Sequence, residues 1–310
     1  MQPLPHSAAA AGPPPTRQAS KPVGAILSDG AFSALAALIH RETGIVITEA
    51  KRSMLVSRLS RRLRSLGLQD FSAYLSYLDG QDGPTEREVL VSAITTNVTG
   101  FFREPHHFDR LAAEAPQLIR RARAGGRVRL WSAGCSTGQE AVSMAAVLAD
   151  HAPDIGQLDL RILATDIDPA IIAQARQGQY DRALLGPSPP PALMRHIQPG
   201  ATPDLFAVSP KLRSMICFEV LNLLDTWPFQ GRFDVIFCRN VVIYFDDATR
   251  NALWSRFAER LLPGGLLFIG HSERMDPGLE AQLHPDGLKT YRRGGASQEG
   301  AGRAPHGRKA

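Results

Sequence analysis

Apolar and polar positions along this chain follow two rhythms, and the change between them near residue 127 divides it. Over residues 30–92 apolar side chains recur at helical spacing. In "FSALAALIHRETG", Phe32, Leu35, Leu38 and Ile39 share one face that ends at Gly44. In "KRSMLVSRLSRRLRSLG" (51–67), Leu55, Leu59, Leu63 and Leu66 form a stripe. At about 100° per residue, Lys51, Arg58 and Arg62 stack along one edge of it, with Arg61 and Arg64 further round. Six basic residues from 51 to 64 meet no acidic one. That favours an anion-seeking docking surface over the plain alternative of a solvated helix face.

Beyond residue 127 strands and helices alternate. "RVRLWSAGC" reads as a short apolar strand, and "GCSTGQEAVSMAAVLAD" as a Gly-rich turn opening a helix. "DLRILATDID" is a strand ending in acids, and "PAIIAQARQG" a helix with Pro169 at its start. "FDVIFCRNVVIYFDD" (233–247) has the continuous apolar character of a strand buried on both faces. "DDATRNALWSRFAERLLPGG" reads as a helix with a Pro-Gly-Gly stop, "LLFIGHSE" as a strand, and "DGLKTYRR" (286–293) as a late strand. Such alternation predicts a mostly parallel sheet with helices on both faces, behind a small all-α domain. Pro-rich residues 1–24 and the segment 294–310 read as disordered tails.

Composition narrows the class. The 310 residues suffice for two domains, and 44% hydrophobic with 21% charged residues fits a soluble globular protein. No apolar run approaches a membrane span and no signal-peptide pattern opens the chain, so a cytoplasmic location is expected. Three cysteines without C-x-x-C spacing argue against a disulfide framework or a zinc site, and no metal is expected. A net charge of +5 suggests an acidic partner.

The sheet places the ligand beyond the carboxyl ends of its strands, at the switch point. Four clusters fall there: Gly134–Glu140, Asp166 with Asp168, Arg239–Tyr244 and His271–Glu273. "GCSTG" is neither the dinucleotide G-x-G-x-x-G nor a Walker loop, which favours a nucleoside without a pyrophosphate. Asp166 is well placed for ribose hydroxyls, and S-adenosylmethionine (SAM) is the cofactor this suggests.

"TTNVTGFFRE" (95–104), "WSAGCSTGQE", "ATDID", "FCRNVVIYFD" and "LLFIGHSE", in this order, closely resemble the CheR family of chemotaxis protein-glutamate methyltransferases. The resemblance covers roughly residues 30–293. It implies a helical receptor-docking domain at 25–94, a linker and connecting helix at 95–126, and a Rossmann-like class I SAM methyltransferase domain at 127–293. A small β-subdomain is expected at 179–213, although that stretch is proline-rich and weak in strand signals. The implied activity is methyl transfer from SAM to glutamate side chains on the cytoplasmic helical domain of methyl-accepting chemoreceptors. The implied products are a glutamate methyl ester and S-adenosylhomocysteine. Neither nucleic acid nor membrane insertion is implied, and membrane proximity arises only through receptors.

On the same resemblance Asn97, Thr99, Arg103, Glu140, Asp166, Asn222, Leu223, Arg239 and Asn240 bind the cofactor. Arg103 and Tyr244 line the methyl-transfer site, and Phe101 and Phe102 anchor their segment in the core. The docking residues Lys51, Arg58 and Arg62 are expected to leave SAM affinity untouched, the cofactor sitting in the other domain. Asp168, Cys135, Cys238 and Ser272 are expected as strand-end and core-lining residues. His106, His107 and His271, without ligand-type neighbours, are expected to be structural. A glutamate carboxylate is ionised at neutral pH and needs no general base, so positioning can carry catalysis. The chain departs from the family's Glu-Glu-Pro-Tyr-Ser after the Gly turn, having Gln139-Glu140-Ala141-Val142-Ser143. Two other functions fit less well: a methyltransferase acting on another protein or nucleic acid, and a non-catalytic module that senses SAM or binds receptors.

Overall fold

The computed structural model describes residues 26–295. The tail expectations therefore lie outside the described residues, apart from Gly294 and Gly295. Four helices form the first domain: α1 (Asp29–Thr43), α2 (Arg52–Leu66), α3 (Phe71–Leu78) and α4 (Gly83–Ile94). Local chemistry fixes their ends. Ser28 and Asp70 accept hydrogen bonds from Ala31 N and Ala73 N, while Gly44 (φ 72°) and Gly67 (φ 69°) end α1 and α2 in the left-handed region. Leu55, Leu59 and Leu63 are buried against Leu35, Tyr74 and Leu78, with Leu66 half-buried at the edge.

The second domain continues through α5 (Pro105–Arg123), β1 (Val128–Ala133), α6 (Gln139–His151), β2 (Leu160–Asp166) and α7 (Pro169–Gln177). A separate antiparallel sheet follows, made of β3 (Gln179–Asp181), β4 (Ile197–Pro199) and β5 (Leu205–Val208), with the one-turn helices α8 (Pro191–Met194) and α9 (Pro210–Arg213). The chain then returns through β6 (Ile216–Val220), β7 (Phe233–Cys238), α10 (Asp247–Arg260), β8 (Leu261–Ile269), β9 (Leu283–Pro285) and β10 (Thr290–Arg293). The large sheet has the order β6-β2-β1-β7-β8-β10-β9, parallel except where β10 meets β8 and β9. One apolar core, with α5 and α6, lies on one face; the other gathers Trp131, Trp227, Trp254 and Phe257 around α10.

Three local expectations are corrected. β6, parallel to β2, was not expected from the sequence; only alternate side chains are partly covered, so its apolar signal is weak. β7 ends at Cys238, and residues 242–244 form a 3-10 turn instead of strand. Buried Glu273 explains the break: its Oε1 accepts Val241 N and Val242 N, and Asn240 turns at φ 61°. The Pro263-Gly264-Gly265 stretch lies inside β8 and does not stop α10. Leu261 already pairs with Phe233, and the register shifts past that pair, as a bulge requires.

Candidate active site

The loop 95–104 joins the domains through one carboxylate. Asp168 caps α7 by accepting Ala170 N and Ile171 N, and it also receives Ser92 Oγ, Thr95 Oγ1 and Asn97 Nδ2. Ser136 Oγ donates to Asn97 O, so the loop is held against the Gly turn. Phe101 packs on Tyr180 and Phe206, and Phe102 on Phe108, as expected of core anchors. Phe102 and Glu104 both take positive φ, a conformation that costs non-glycine residues of order 1 kcal/mol or more and tends to gather at functional sites.

One cleft receives this loop and the carboxyl ends of β1, β2 and β7. Asn97, Thr99, Arg103, Glu140, Asp166, Asn222, Leu223, Arg239, Asn240 and Tyr244 all line it. Its non-atom space is about 1220 Å³, open solvent at the mouth included. The helical domain forms one wall, with Thr43, Ile45, Ile47, Lys51 and Met54. The cleft expected of the α/β domain thus takes part of its lining from the helical domain. Val46 N donates to Tyr244 O at 2.9 Å and Asn222 Nδ2 to Glu42 O at 2.9 Å, pinning that wall in place.

The close turn depends on glycine. Gly134 has φ 85°, and a Cβ there would lie 2.3 Å from Val241 Cγ2. Asp166 accepts Ser136 N at 2.8 Å and Asp168 N at 3.2 Å, which leaves lone pairs for a ligand in the cleft. Burial raises its carboxyl above the ordinary range against the pull of those two N–H groups. Asn97 lines the cleft, but its amide already reaches Asp168 and Thr95.

A chain of charges around buried Arg239 backs the site. Arg239, 6% exposed, pairs with Glu140 at 3.0 Å and Glu104 at 3.3 Å, and Ser132 Oγ donates to Glu140. Burial raises the Glu140 carboxyl, opposed by Arg239. Glu104 is half-buried, but Arg239 and His271 outweigh the desolvation and hold it below the usual range. Glu104 was not read from the sequence as a site residue, and its partner Arg239 lies far along the chain. His271 Nδ1 lies 3.2 Å and His107 Nδ1 3.5 Å from this carboxylate. Burial pushes His107 down to about 3, helped by Arg239, so it is neutral against Phe237 and Phe268.

For His106 and His107 the expectation of no ligand cluster is corrected, since with Glu104 they offer three ligand atoms within 4.8 Å of one another. The guanidinium of Arg239 already supplies a cation there. Cys135 and Cys238 are buried, whereas Ser272 is exposed beside His271 and lines no core.

The basic edge of α2 has partners within the protein. Arg58 donates to the carbonyls of Ala93, Ile94 and Thr95, closing the end of α4. Arg62 pairs with Glu86, which is 2% exposed, and Arg52 pairs with Glu49 and Asp29. Lys51 reaches Val46 O and the Tyr244 ring. Arg61 and Arg64 are the exposed guanidinia of α2 without an acidic partner among the described residues. Residues 26–95 carry eight Lys or Arg and eight Asp or Glu, so the domain as a whole is neutral.

Comparison with known proteins matches residues 97–291 to the SAM-binding domain of CheR methyltransferase and residues 30–95 to its all-alpha domain. The chain is similar to a probable chemotaxis protein methyltransferase of Rhizobium etli, 43% identical over 258 residues, 82% of this chain and 96% of the relative. It is 42% identical to the chemotaxis protein methyltransferase of Salmonella typhimurium over 250 residues, 80% of this chain and 84% of the relative. The Escherichia coli counterpart is 42% identical over 252 residues, 80% of this chain and 85% of the relative.

Proposed function

The chain belongs to the CheR methyltransferase family, and from that premise we propose that its acceptors are glutamate side chains on the cytoplasmic helices of chemoreceptors. It is a SAM-dependent methyltransferase of chemotaxis. What supports a carboxylate acceptor is the cleft lining. Among its described residues there is no histidine or cysteine, and both carboxylates that line it have partners, Glu140 in Ser132 and Arg239, Asp166 in two backbone N–H groups. No imidazole or thiol lines the cleft to deprotonate an amine, the remaining lone pairs of Asp166 are assigned to the ribose hydroxyls, and an ionised carboxylate acceptor needs no base.

SAM supplies a methyl group already activated on a sulfonium. Asp166 would take its ribose hydroxyls. Asn97, Thr99, Glu140, Asn222, Leu223, Arg239 and Asn240 would complete the cofactor's surroundings, with Arg103 and Tyr244 at the transfer site. The protein's work is then alignment and exclusion of water by Ile45, Ile47, Met54 and Leu223. Alignment of this kind is worth roughly 7–11 kcal/mol of barrier. For docking on an acidic receptor helix, Arg61 and Arg64 are the free charges, because Arg58 and Arg62 are occupied in holding the helices together.

Incubation with labelled SAM and cytoplasmic receptor fragments tests the reading. Transferred label is expected to leave as methanol in mild base, as a carboxyl ester does. Label that survives base would point to a different acceptor.

A further inference from the structure

We propose that Lys51, supplied by the helical domain, holds the acceptor's carboxylate at the transfer site and so makes this domain part of acceptor selection. The inference rests on the glutamate reading above. Three cations line the cleft: Lys51, Arg103 and Arg239. Arg239 is neutralised by Glu140 and Glu104. Lys51 and Arg103 have no acidic partner among the described residues; Lys51 Nζ donates to Val46 O at 3.3 Å, and Arg103 Nη1 to Val98 O at 2.9 Å.

An ammonium has three donors, so one bond to a carbonyl leaves both charge and hydrogen-bonding capacity unspent. Methyl transfer to glutamate brings two carboxylates into this space, one on the cofactor's amino-acid end and one on the acceptor. Two uncompensated cations match them. Arg103 shares its loop with Asn97 and Thr99 and takes the cofactor's carboxylate. The Lys51 ammonium lies 5.5 Å from the centre of the Tyr244 ring and takes the acceptor's.

The pairing of Lys51 with Tyr244 is built into the backbone. Val46 accepts Lys51 through its carbonyl and donates through its N–H to Tyr244 O, so one residue fixes both sides. A carboxylate drawn to Lys51 is thereby brought to the Tyr244 side of the cleft. An amide or hydroxyl at the same place would gain no charge pairing, and that difference is the selection.

Steady-state methylation of receptor fragments by Lys51→Met and Lys51→Arg, with calorimetry of S-adenosylhomocysteine, decides the matter. Lys51→Met is expected to lower kcat roughly 10- to 100-fold at saturating fragment, the scale of one lost charge-assisted hydrogen bond. S-adenosylhomocysteine affinity should be unchanged, and Lys51→Arg should recover part of the rate. Lys51→Gln, which keeps a donor for Val46 O, replaces Lys51→Met if the latter melts early. Unchanged kcat with a raised Michaelis constant would make Lys51 a peripheral docking charge. A parallel loss of S-adenosylhomocysteine affinity would move it to the cofactor. Either result overturns the assignment. Base-resistant label from the wild type instead overturns the glutamate reading, and the role of Lys51 falls with it.

Discussion

Reversing one charge on α2 separates support from docking. In Arg62→Glu, the Glu86 carboxylate, 2% exposed, loses Nε contacts at 2.8 and 3.1 Å and an Nη2 contact at 2.5 Å. It keeps only the Tyr74 hydroxyl at 2.8 Å and gains a like charge at the position the guanidinium held. Breaking a buried pair costs about 3–5 kcal/mol. The Arg62 side chain is 31% exposed, so solvent screening brings the expected loss to about 2–4 kcal/mol. A domain of this size melts about 4–8 °C lower per kcal/mol, so the helical transition should fall by roughly 10–30 °C. Thermal melts followed by far-ultraviolet circular dichroism and by calorimetry measure this. The matched control is Arg61→Glu with Arg64→Glu. These side chains are exposed and unpaired, and their reversal should change stability by less than about 0.5 kcal/mol. The same pair should raise the Michaelis constant for receptor fragments, most strongly at low salt, because rim charges steer encounter. An Arg62→Glu protein melting within about 3 °C of wild type would show that the Glu86 pair is not what holds α2 to α4.

Asp166→Ala should weaken SAM and S-adenosylhomocysteine binding by about 1.5–3 kcal/mol by calorimetry, and unchanged affinity in a folded variant would take Asp166 out of the site. His107 is held neutral, its folded value about 3 against 6.5 unfolded. Below pH 6.5 the unfolded chain therefore binds a proton the folded one refuses, and stability drains as pH falls toward 3. The loss by pH 5 is up to about 2 kcal/mol. His107→Phe should flatten urea midpoints between pH 7.5 and 5, and an unaltered slope would refute the titration. Glu104, held low, adds a loss of the same sign only as pH falls below its ordinary value of 4.5.

Helix faces and the glycine stop of α1 were legible in the chain because they depend on near neighbours, whereas the Pro-Gly-Gly expected to stop α10 lies in a strand. Leu55, Leu59 and Leu63 fall on one side at any tertiary arrangement, and Gly44 and Gly67 can take positive φ without a Cβ penalty. The strand–helix alternation, the Gly turn at Gly134 and the acid closing β2 likewise depend on residues close in sequence. With the ordered motifs, they were enough to indicate the fold class and the cleft's position. The meaning of each charge was not local. Arg58 and Arg62 read as free because their partners lie 24 to 37 residues away on α4 and just after it. Glu104 and Arg239 are 135 positions apart, and only the meeting of the start of α5 with the end of β7 makes them one ion pair. The same holds for Lys51, whose ammonium faces the Tyr244 ring only because the helical domain closes over the sheet. Periodicity records which side of an element is apolar. Whether a cation on the other side is spent or available depends on desolvation and on partners from distant segments, and that is decided when the domains pack.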